Sequence, residues 1–171
     1  MGDHAERLGI RLLWSLVPLL TGLVAMGLDV LPVPLPRPLA PWALVCVFYF
    51  WTLYRPDLLP VSAVFGLGLL ADAVAGLPLG LTALALLLAR VVIVSAQRFL
   101  LAQRFVVVWT CFLPVLALVG ALRWALASLF WSRALPPGPL LVEAGSTFSV
   151  YPLIGWLLAG LQRGLADAAR G

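Results

Sequence analysis

The sequence predicts an all-α fold: a polytopic membrane helix bundle of about six transmembrane helices. Of its 171 residues, 63% are hydrophobic and 11% are charged, and the mean hydropathy is +1.09. Such a chain cannot bury its apolar side chains in one soluble core and still cover its surface with polar groups. The connectors between apolar runs are too short for a soluble domain. We therefore expect residues 1–171 to form a single integral membrane domain.

Six apolar runs are the candidate transmembrane helices, because a helix needs about 20 mostly apolar residues to cross a bilayer. They cover residues 8–31, 39–54, 58–75, 79–96, 105–131 and 140–161. The first run is too long for a cleavable signal peptide and lacks a small-residue cleavage site. The second is short and begins near Pro38 and Pro41, so it could thin the bilayer locally or be partly re-entrant. Five crossings is the main alternative to six.

The connectors contain residues that separate these runs. Residues 31–38 have proline at every second position, which favours an extended polyproline geometry. Prolines at positions 136, 137 and 139 end the fifth run in the same way. Residues 97–104 mix arginines with Phe and Leu, as expected of a short segment lying at the membrane surface.

The arginines predict the orientation, because positively charged loops stay in the cytoplasm. With six crossings and a cytoplasmic N-terminus, seven of the arginines that flank the spans lie on the inner side and two on the outer side. The inner ones are Arg7, Arg11, Arg55, Arg98, Arg104, Arg163 and Arg170, and the outer ones are Arg37 and Arg133. Omitting the second span would move four inner arginines outside. We therefore predict that both termini are cytoplasmic.

The end of the third run carries an acid among glycines in an apolar context. A charged side chain in lipid is costly unless it faces protein, water or a partner, so Asp72 is a candidate functional residue. Gly68 precedes it by four residues and shares its helix face. Gly76 fits a C-cap, Pro78 prevents continuation of the helix, and Gly80 would let the next helix pack closely. The pattern predicts a membrane helical hairpin with an acid near its turn.

Charged residues inside or near the edge of the spans are expected to meet at the outer side; they are Asp29, Asp72, Arg123 and Glu143. One interpretation is an internal ion pair that fixes helix register, since a buried charge is much less costly when paired. The other is that one acid, with Asp72 as the first candidate, is left for a partner or a substrate. Arg90 lies nearer the inner half of its helix, and we expect its side chain to extend to the inner interface.

Small residues recur at four-residue spacing, which lets helix backbones approach closely. They are Ala117, Ala121 and Ala125 in the fifth run, and Gly155 with Ala159 and Gly160 with Gly164 in the sixth. Such faces usually pack within one bundle. Binding to another membrane protein is the alternative.

The sequence offers little for catalysis or cofactor binding. His4 is the single histidine and lies in the polar N-terminal segment, so neither a His/Cys metal cluster nor a nucleophile–histidine pair is expected. Cys46 and Cys111 lie in apolar runs and fit unpaired thiols. The pI of about 9.8 comes from dispersed arginines without an aromatic–basic cluster, so we expect no nucleic-acid partner. We expect no enzymatic activity, cofactor or metal.

The segments Trp51–Asp57, Gly66–Asp72 and Gly76–Gly80 lie within some thirty residues of one another. On these segments the chain resembles the MreD family of bacterial rod shape-determining membrane proteins. Its size, short loops and predicted internal termini are similar as well, whereas the remaining spans match only in length and hydropathy. The resemblance implies a structural or partner-binding motif made of Arg55, Pro56, Gly68, Asp72, Gly76, Pro78 and Gly80.

The resemblance implies a non-enzymatic scaffold of the cell-elongation complex, which makes lateral peptidoglycan at the bacterial inner membrane. It implies an MreC-like single-span protein as the direct partner. An MreB-like filament and the RodA and penicillin-binding protein 2 pair would be indirect partners, and membrane lipids would surround the protein.

The resemblance also implies a fold similar to the substrate-binding components of energy-coupling-factor transporters. The alternative function is therefore a vitamin-binding membrane component, with a pocket that Asp72, Arg123 and Glu143 could line. Against it, the outer loops are short and mostly proline, and they offer little to close over a ligand.

Overall fold

The computed structural model describes residues 16–29, 41–132 and 136–168, and these parts of the chain contain helices and turns without strands. The helices are α1 (Leu16–Asp29), α2 (Ala43–Tyr54), α3 (Val61–Ala75), α4 (Leu81–Leu101), α5 (Phe105–Phe130) and α6 (Gly138–Ala168). The predicted all-α class is confirmed. Predictions on residues 1–15, which include His4, Arg7 and Arg11, on the proline segment at 31–38 with Arg37, and on Arg133 and Arg170 lie outside the described residues.

Three helices are long and apolar enough to cross a membrane by length and composition: α4, α5 and the Gly138–Gly164 part of α6. The helices α1, α2 and α3 are apolar but shorter as described. This composition is consistent with a membrane protein, and six crossings stays a prediction.

Helix α4 extends to Leu101, into the segment predicted to be a short connector lying at the membrane surface. Residues 97–101 contain neither glycine nor proline, and Gln, Arg and Leu are good helix formers, so nothing local ends the helix there. The turn to α5 is therefore confined to residues 102–104.

Helix α2 is the centre of the bundle. Every residue from Ala43 to Leu53 is buried, as expected of a helix that is apolar on all sides. Helices α4 and α6 pack against it. The Tyr49 hydroxyl donates to the Val108 carbonyl of α5 at 2.9 Å. With 12 residues, α2 is about 18 Å long, and the surrounding helices cover it along almost its whole length.

Aromatic side chains from three helices fill the space around α2. The ring centroids of Tyr49 on α2 and Phe112 on α5 are 4.9 Å apart, and Tyr151 on α6 lies 5.4 Å and 4.5 Å from them respectively. On the side of α1, the Trp51 indole donates to the Thr21 hydroxyl at 2.9 Å. These contacts join three helices, α1, α5 and α6, to the central one.

Large apolar side chains cover the outside of the bundle. Examples are Val24 on α1, Val91 on α4 and Leu129 on α5, which are 64%, 68% and 76% exposed. An apolar surface of this extent is typical of a lipid-facing belt.

The bundle has two ends of different character. Contacts from Asp29 to Ala43 and from Asp72 to Thr82 lie at one end, which we call the Asp72 end. The hydrogen bond between Arg90 and Pro56 lies toward the opposite end of the bundle, which we call the Arg55 end. Arginines concentrate at the Arg55 end, where α2 and α4 finish and α3 and α5 begin.

Candidate functional site

The turn between α3 and α4 depends on glycine. Gly76 ends α3 with φ at +66°, in the left-handed region that favours glycine. The N–H groups of Gly76 and Leu77 both donate to the Asp72 carbonyl oxygen, the second at 2.9 Å. Gly76 is therefore the C-cap that the sequence predicts, and Pro78 follows it in the turn.

The Asp72 carboxylate caps the next helix. It is fully buried; Oδ2 accepts the Gly80 N–H at 2.9 Å, and the Thr82 N–H lies 2.9 Å from Oδ1 and 3.0 Å from Oδ2. N–H groups at a helix start have no partner within the helix, and Gly80, the N-cap of α4, has no side chain to supply one. Asp72 provides the missing acceptor, and its negative charge lies at the positive end of the α4 dipole.

Gly68 brings the backbones of α3 and α4 together. A Cβ atom at this position would lie 2.3 Å from the Ala83 Cα, which no side chain can do without moving the helices apart. Gly66, one half-turn away, has nothing within 4 Å of the same point. The helix face shared by Gly68 and Asp72 therefore packs against α4 of the same chain.

Gly80 has a different role from the predicted one. Nothing lies within 4 Å of the place where its Cβ would be, so close helix packing does not require glycine there. Its φ is +97°, a conformation that L side chains rarely adopt. Glycine is needed for the backbone conformation from which the Gly80 N–H reaches Asp72.

Asp29 repeats this arrangement between α1 and α2. Its Oδ1 accepts the Ala43 N–H at 2.8 Å, and its Oδ2 accepts the Leu44 N–H at 3.3 Å. These are the first two residues of α2, whose N-cap Trp42 makes no side-chain capping bond. The sequence alone did not predict that either acid caps a helix. The signal for this role is an aspartate in the last turn of one apolar helix, followed by a second helix whose N-cap residue has no capping side chain.

Arg123 is held against an aromatic ring. Its guanidinium carbon lies 4.6 Å from the ring centroid of Trp42, a cation–π arrangement. The Trp42 N–H donates to the Thr147 hydroxyl at 2.9 Å, and that hydroxyl donates to the Glu143 carbonyl at 2.6 Å. The start of α2 is thus attached to both α5 and α6.

The predicted charge cluster assembles at one end but without ion pairs between its members. Among the described side chains, Arg123 has no carboxylate within 4 Å, although Glu143, Asp72 and Asp29 lie within electrostatic reach of it. Asp29 and Asp72 bind backbone N–H groups instead. The predicted ion pair does not form between these described side chains, because the starts of α2 and α4 offer backbone N–H groups that would otherwise be buried without partners.

Arg55 and Pro56 lie at the opposite end from Asp72. The Arg55 Nε lies 3.4 Å from Asp57 Oδ1 in an exposed pair. The Pro56 carbonyl accepts a hydrogen bond from Arg90 Nη2 at 3.3 Å. The Arg90 side chain therefore extends toward the Arg55 end, the direction that the sequence predicts.

A cavity of about 310 Å³ lies between α2, α5 and α6. Its lining consists of Phe50, Tyr54, Phe105, Tyr151, Pro152, Gly155, Trp156 and Ala159. None of the four residues of the predicted charge cluster contributes to it. The cavity is not predictable from the sequence, because its walls come from segments far apart in the chain and the Gly155–Ala159 spacing indicates only close packing.

No metal site is present among the described residues, since they contain no suitable group of three or more His, Cys, Asp or Glu side chains. Cys46 is buried, Cys111 is half-buried, and both are free thiols.

Comparison of the chain with protein-family models, curated proteins and solved structures gives no match. The resemblance to the MreD family thus stays a prediction from residues 51–80.

Proposed function

We propose that the protein is a rod shape-determining scaffold of the bacterial inner membrane, similar in role to MreD. In this proposal it crosses the membrane six times, has both termini in the cytoplasm, catalyses no reaction and binds an MreC-like single-span protein. Through that partner it acts with an MreB-like filament and the RodA and penicillin-binding protein 2 pair in lateral peptidoglycan synthesis.

The proposal rests on the hydrogen bonds that the Asp72 carboxylate accepts. This buried carboxylate binds backbone N–H groups of α4, so it holds two helices together and presents no charge to a substrate. Gly68, in the same motif, lets those helices touch. A motif that fixes a hairpin suits a scaffold, because a docking surface must be preorganised to bind a partner at low entropic cost.

The exposed face of α5 offers a docking surface for a partner helix. Ala117, Ala121 and Ala125 follow one another along this face, and all three are exposed. Small residues permit close approach of a second transmembrane helix. We assign the membrane span of the MreC-like partner to this face.

The alternative, a vitamin-binding transporter component, has less support. It needs polar groups around an outward-facing pocket. The Asp72 carboxylate binds backbone N–H groups at the start of α4, and the Arg123 guanidinium lies over the Trp42 ring. Neither group is directed to a ligand pocket in the part of the chain that the structure describes. A thermal-shift screen against vitamins tests this alternative, and a saturable stabilisation by one vitamin would favour it over the scaffold.

Depletion tests the scaffold in cells. A rod-shaped bacterium that produces this protein is expected to become round when the protein is removed and to regain its shape when the gene is restored. Growth as normal rods after a clean deletion would contradict the proposal.

Site-specific crosslinking tests the docking face. A photoreactive residue at position 121 is expected to capture the MreC-like protein, and Ala121→Trp is expected to prevent rescue of cell shape. Exposed Ala73 on α3 is the matched control, where the same changes should have little effect. Equal capture from positions 121 and 73 would exclude α5 as the specific docking face.

A further inference from the structure

The cavity between α2, α5 and α6 has a closed floor and a rim on the lipid-facing surface. Phe50 and Tyr151 form the floor and are 3% and 1% exposed. Phe105 and Trp156 form the rim and are 47% and 66% exposed. Because the rim is continuous with the apolar belt of the bundle, a chain of a membrane lipid can enter the cavity without passing through water.

Arginines lie at the end of this cavity that faces the Arg55 end of the bundle. They are Arg55 after Tyr54, Arg104 before Phe105, and Arg163 one turn beyond Ala159. The Arg163 Nε donates to the Ala159 carbonyl at 3.2 Å, which keeps this side chain beside the cavity wall. Among the side chains described at this end, the one carboxylate is Asp57, and it pairs with Arg55. Arg104 and Arg163 thus place two guanidinium groups at this end of the cavity.

We propose that the cavity binds one acyl chain of an anionic phospholipid, whose headgroup is held by Arg104 and Arg163. The lining residues carry no charge and are mostly aromatic, which suits an apolar chain. Guanidinium groups bind phosphate through paired hydrogen bonds, and basic residues at the membrane surface favour anionic lipids over zwitterionic ones. This site is independent of the scaffold function proposed above.

Binding of the acyl chain is tested by a substitution that fills the cavity. Gly155→Leu places its Cβ 3.8 Å from the Tyr151 ring, an ordinary contact, and directs the larger side chain into the cavity. The protein is reconstituted with equal amounts of phosphatidylglycerol and phosphatidylcholine of the same chain length, and retained lipid is measured by native mass spectrometry. We expect Gly155→Leu to retain about tenfold less lipid, because exclusion of about two methylene groups costs that much in affinity.

Gly160→Leu is the matched control, since nothing lies within 4 Å of a Cβ at that glycine. It should retain lipid as the unsubstituted protein does. If Gly155→Leu fails to accumulate, Ala159→Leu on the same wall replaces it.

Binding of the lipid headgroup is tested by removing the positive charges of Arg104 and Arg163. Arg104→Gln combined with Arg163→Gln should keep an acyl chain bound but lose the preference for phosphatidylglycerol. Arg98→Gln, an exposed arginine at the same end that adjoins no lining residue, should keep the preference.

Three results would overturn the proposal. The first is equal retention of the two lipids by the unsubstituted protein, and the second is undiminished retention by the cavity-filling variant. The third is a lipid-free dimer that Gly155→Leu converts to monomer, which would mean that a second copy of the chain occupies the groove.

Discussion

The carboxylates of Asp72 and Asp29 accept hydrogen bonds from backbone N–H groups and do not pair with any of the described cationic side chains. Burial of a charge is costly unless hydrogen bonds compensate for it. Each hydrogen bond to a charged group contributes about 1.5–3 kcal/mol, and the carboxylate of Asp72 accepts from two N–H groups. The acid and the helix start therefore stabilise each other, which explains an aspartate inside an apolar hairpin.

Replacement of Asp72 tests whether its carboxylate stabilises the start of α4. Asp72→Ala should lower the free energy of unfolding by about 3 kcal/mol, because it strands the buried N–H groups of Gly80 and Thr82. Asp72→Asn keeps one acceptor oxygen and should lose about half as much. Asp57→Ala, in an exposed pair, should cost under about 1 kcal/mol. Unfolding of the purified variants followed by circular dichroism measures all three, and equal stability of Asp72→Ala and the original protein would exclude the capping role.

A charge exchange distinguishes capping from ion pairing. Because Asp72 binds the backbone of α4 and not Arg123, Asp72→Arg combined with Arg123→Asp should fold no better than Asp72→Arg alone. The amount of protein in membranes reports the outcome. Substantial recovery in the double variant would show that the two side chains form a pair within the chain.

At the scale of elements, α3 and α4 are joined by a backbone contact that a single methyl group would disrupt. Gly68 faces Ala83, whereas Gly66 faces open space on the same helix. The two positions have the same residue type and the same secondary structure, so they separate the effect of packing from that of helix propensity.

Gly68→Ala is expected to destabilise the protein by about 1–3 kcal/mol, since α3 and α4 must move apart to admit a Cβ. Gly66→Ala should be neutral or stabilise by up to about 1 kcal/mol, because alanine is the better helix former. Thermal unfolding of both variants in the same detergent measures the difference. Similar stability of the two variants would contradict the close contact.

A second contact between elements involves the proline in α6. Pro152 has no N–H, so the Phe148 carbonyl four residues earlier loses its helical donor. The Trp109 indole of α5 donates to this carbonyl at 3.0 Å, and its ring stacks on the Phe148 ring with centroids 4.9 Å apart. The proline therefore creates an acceptor that joins α6 to α5.

A double-mutant cycle tests this link. Trp109→Phe should cost about 1–2 kcal/mol, because the Phe148 carbonyl then lacks a donor. In a Pro152→Ala background the helix supplies its own N–H, and the cost of Trp109→Phe should fall by about 1 kcal/mol. Additive effects of the two substitutions would mean that Trp109 does not compensate for the proline.

At the scale of the whole molecule, the bundle is organised around α2. The neighbouring helices cover it, so the shortest helix is also the most buried one among those described. The arginines lie mostly at one end of this arrangement and the capping acids at the other, and this asymmetry is the basis for the predicted orientation.

Cysteine labelling tests the orientation in a variant without Cys46 and Cys111. A cysteine at Pro137, near the Asp72 end, should react with a membrane-impermeant reagent from the outside of intact cells. A cysteine at Gln103, in the turn after α4, should react only after the membrane is opened. The opposite pattern would require an external N-terminus.

The sequence by itself determined the helical class, the main breaks between helices and the glycine cap at position 76. These depend on local properties: an apolar run makes a helix favourable, and residues such as Gly76 and Pro78 end it through their own backbone restrictions. The direction of the Arg90 side chain also followed from its distance to the helix end. The sequence predicts a short connector at the membrane surface over residues 97–104, and the structure continues α4 through Leu101.

Tertiary structure alone decided which groups meet. The carboxylate of Asp72 had several possible partners on different helices, and its binding to the start of α4 depends on a turn that brings both within 3 Å. The same holds for the Trp42–Arg123 contact and for the cavity, whose walls come from three helices. Such contacts depend on how the helices are arranged around α2, and the spacing of residues along one helix contains no information about the helix that will lie opposite.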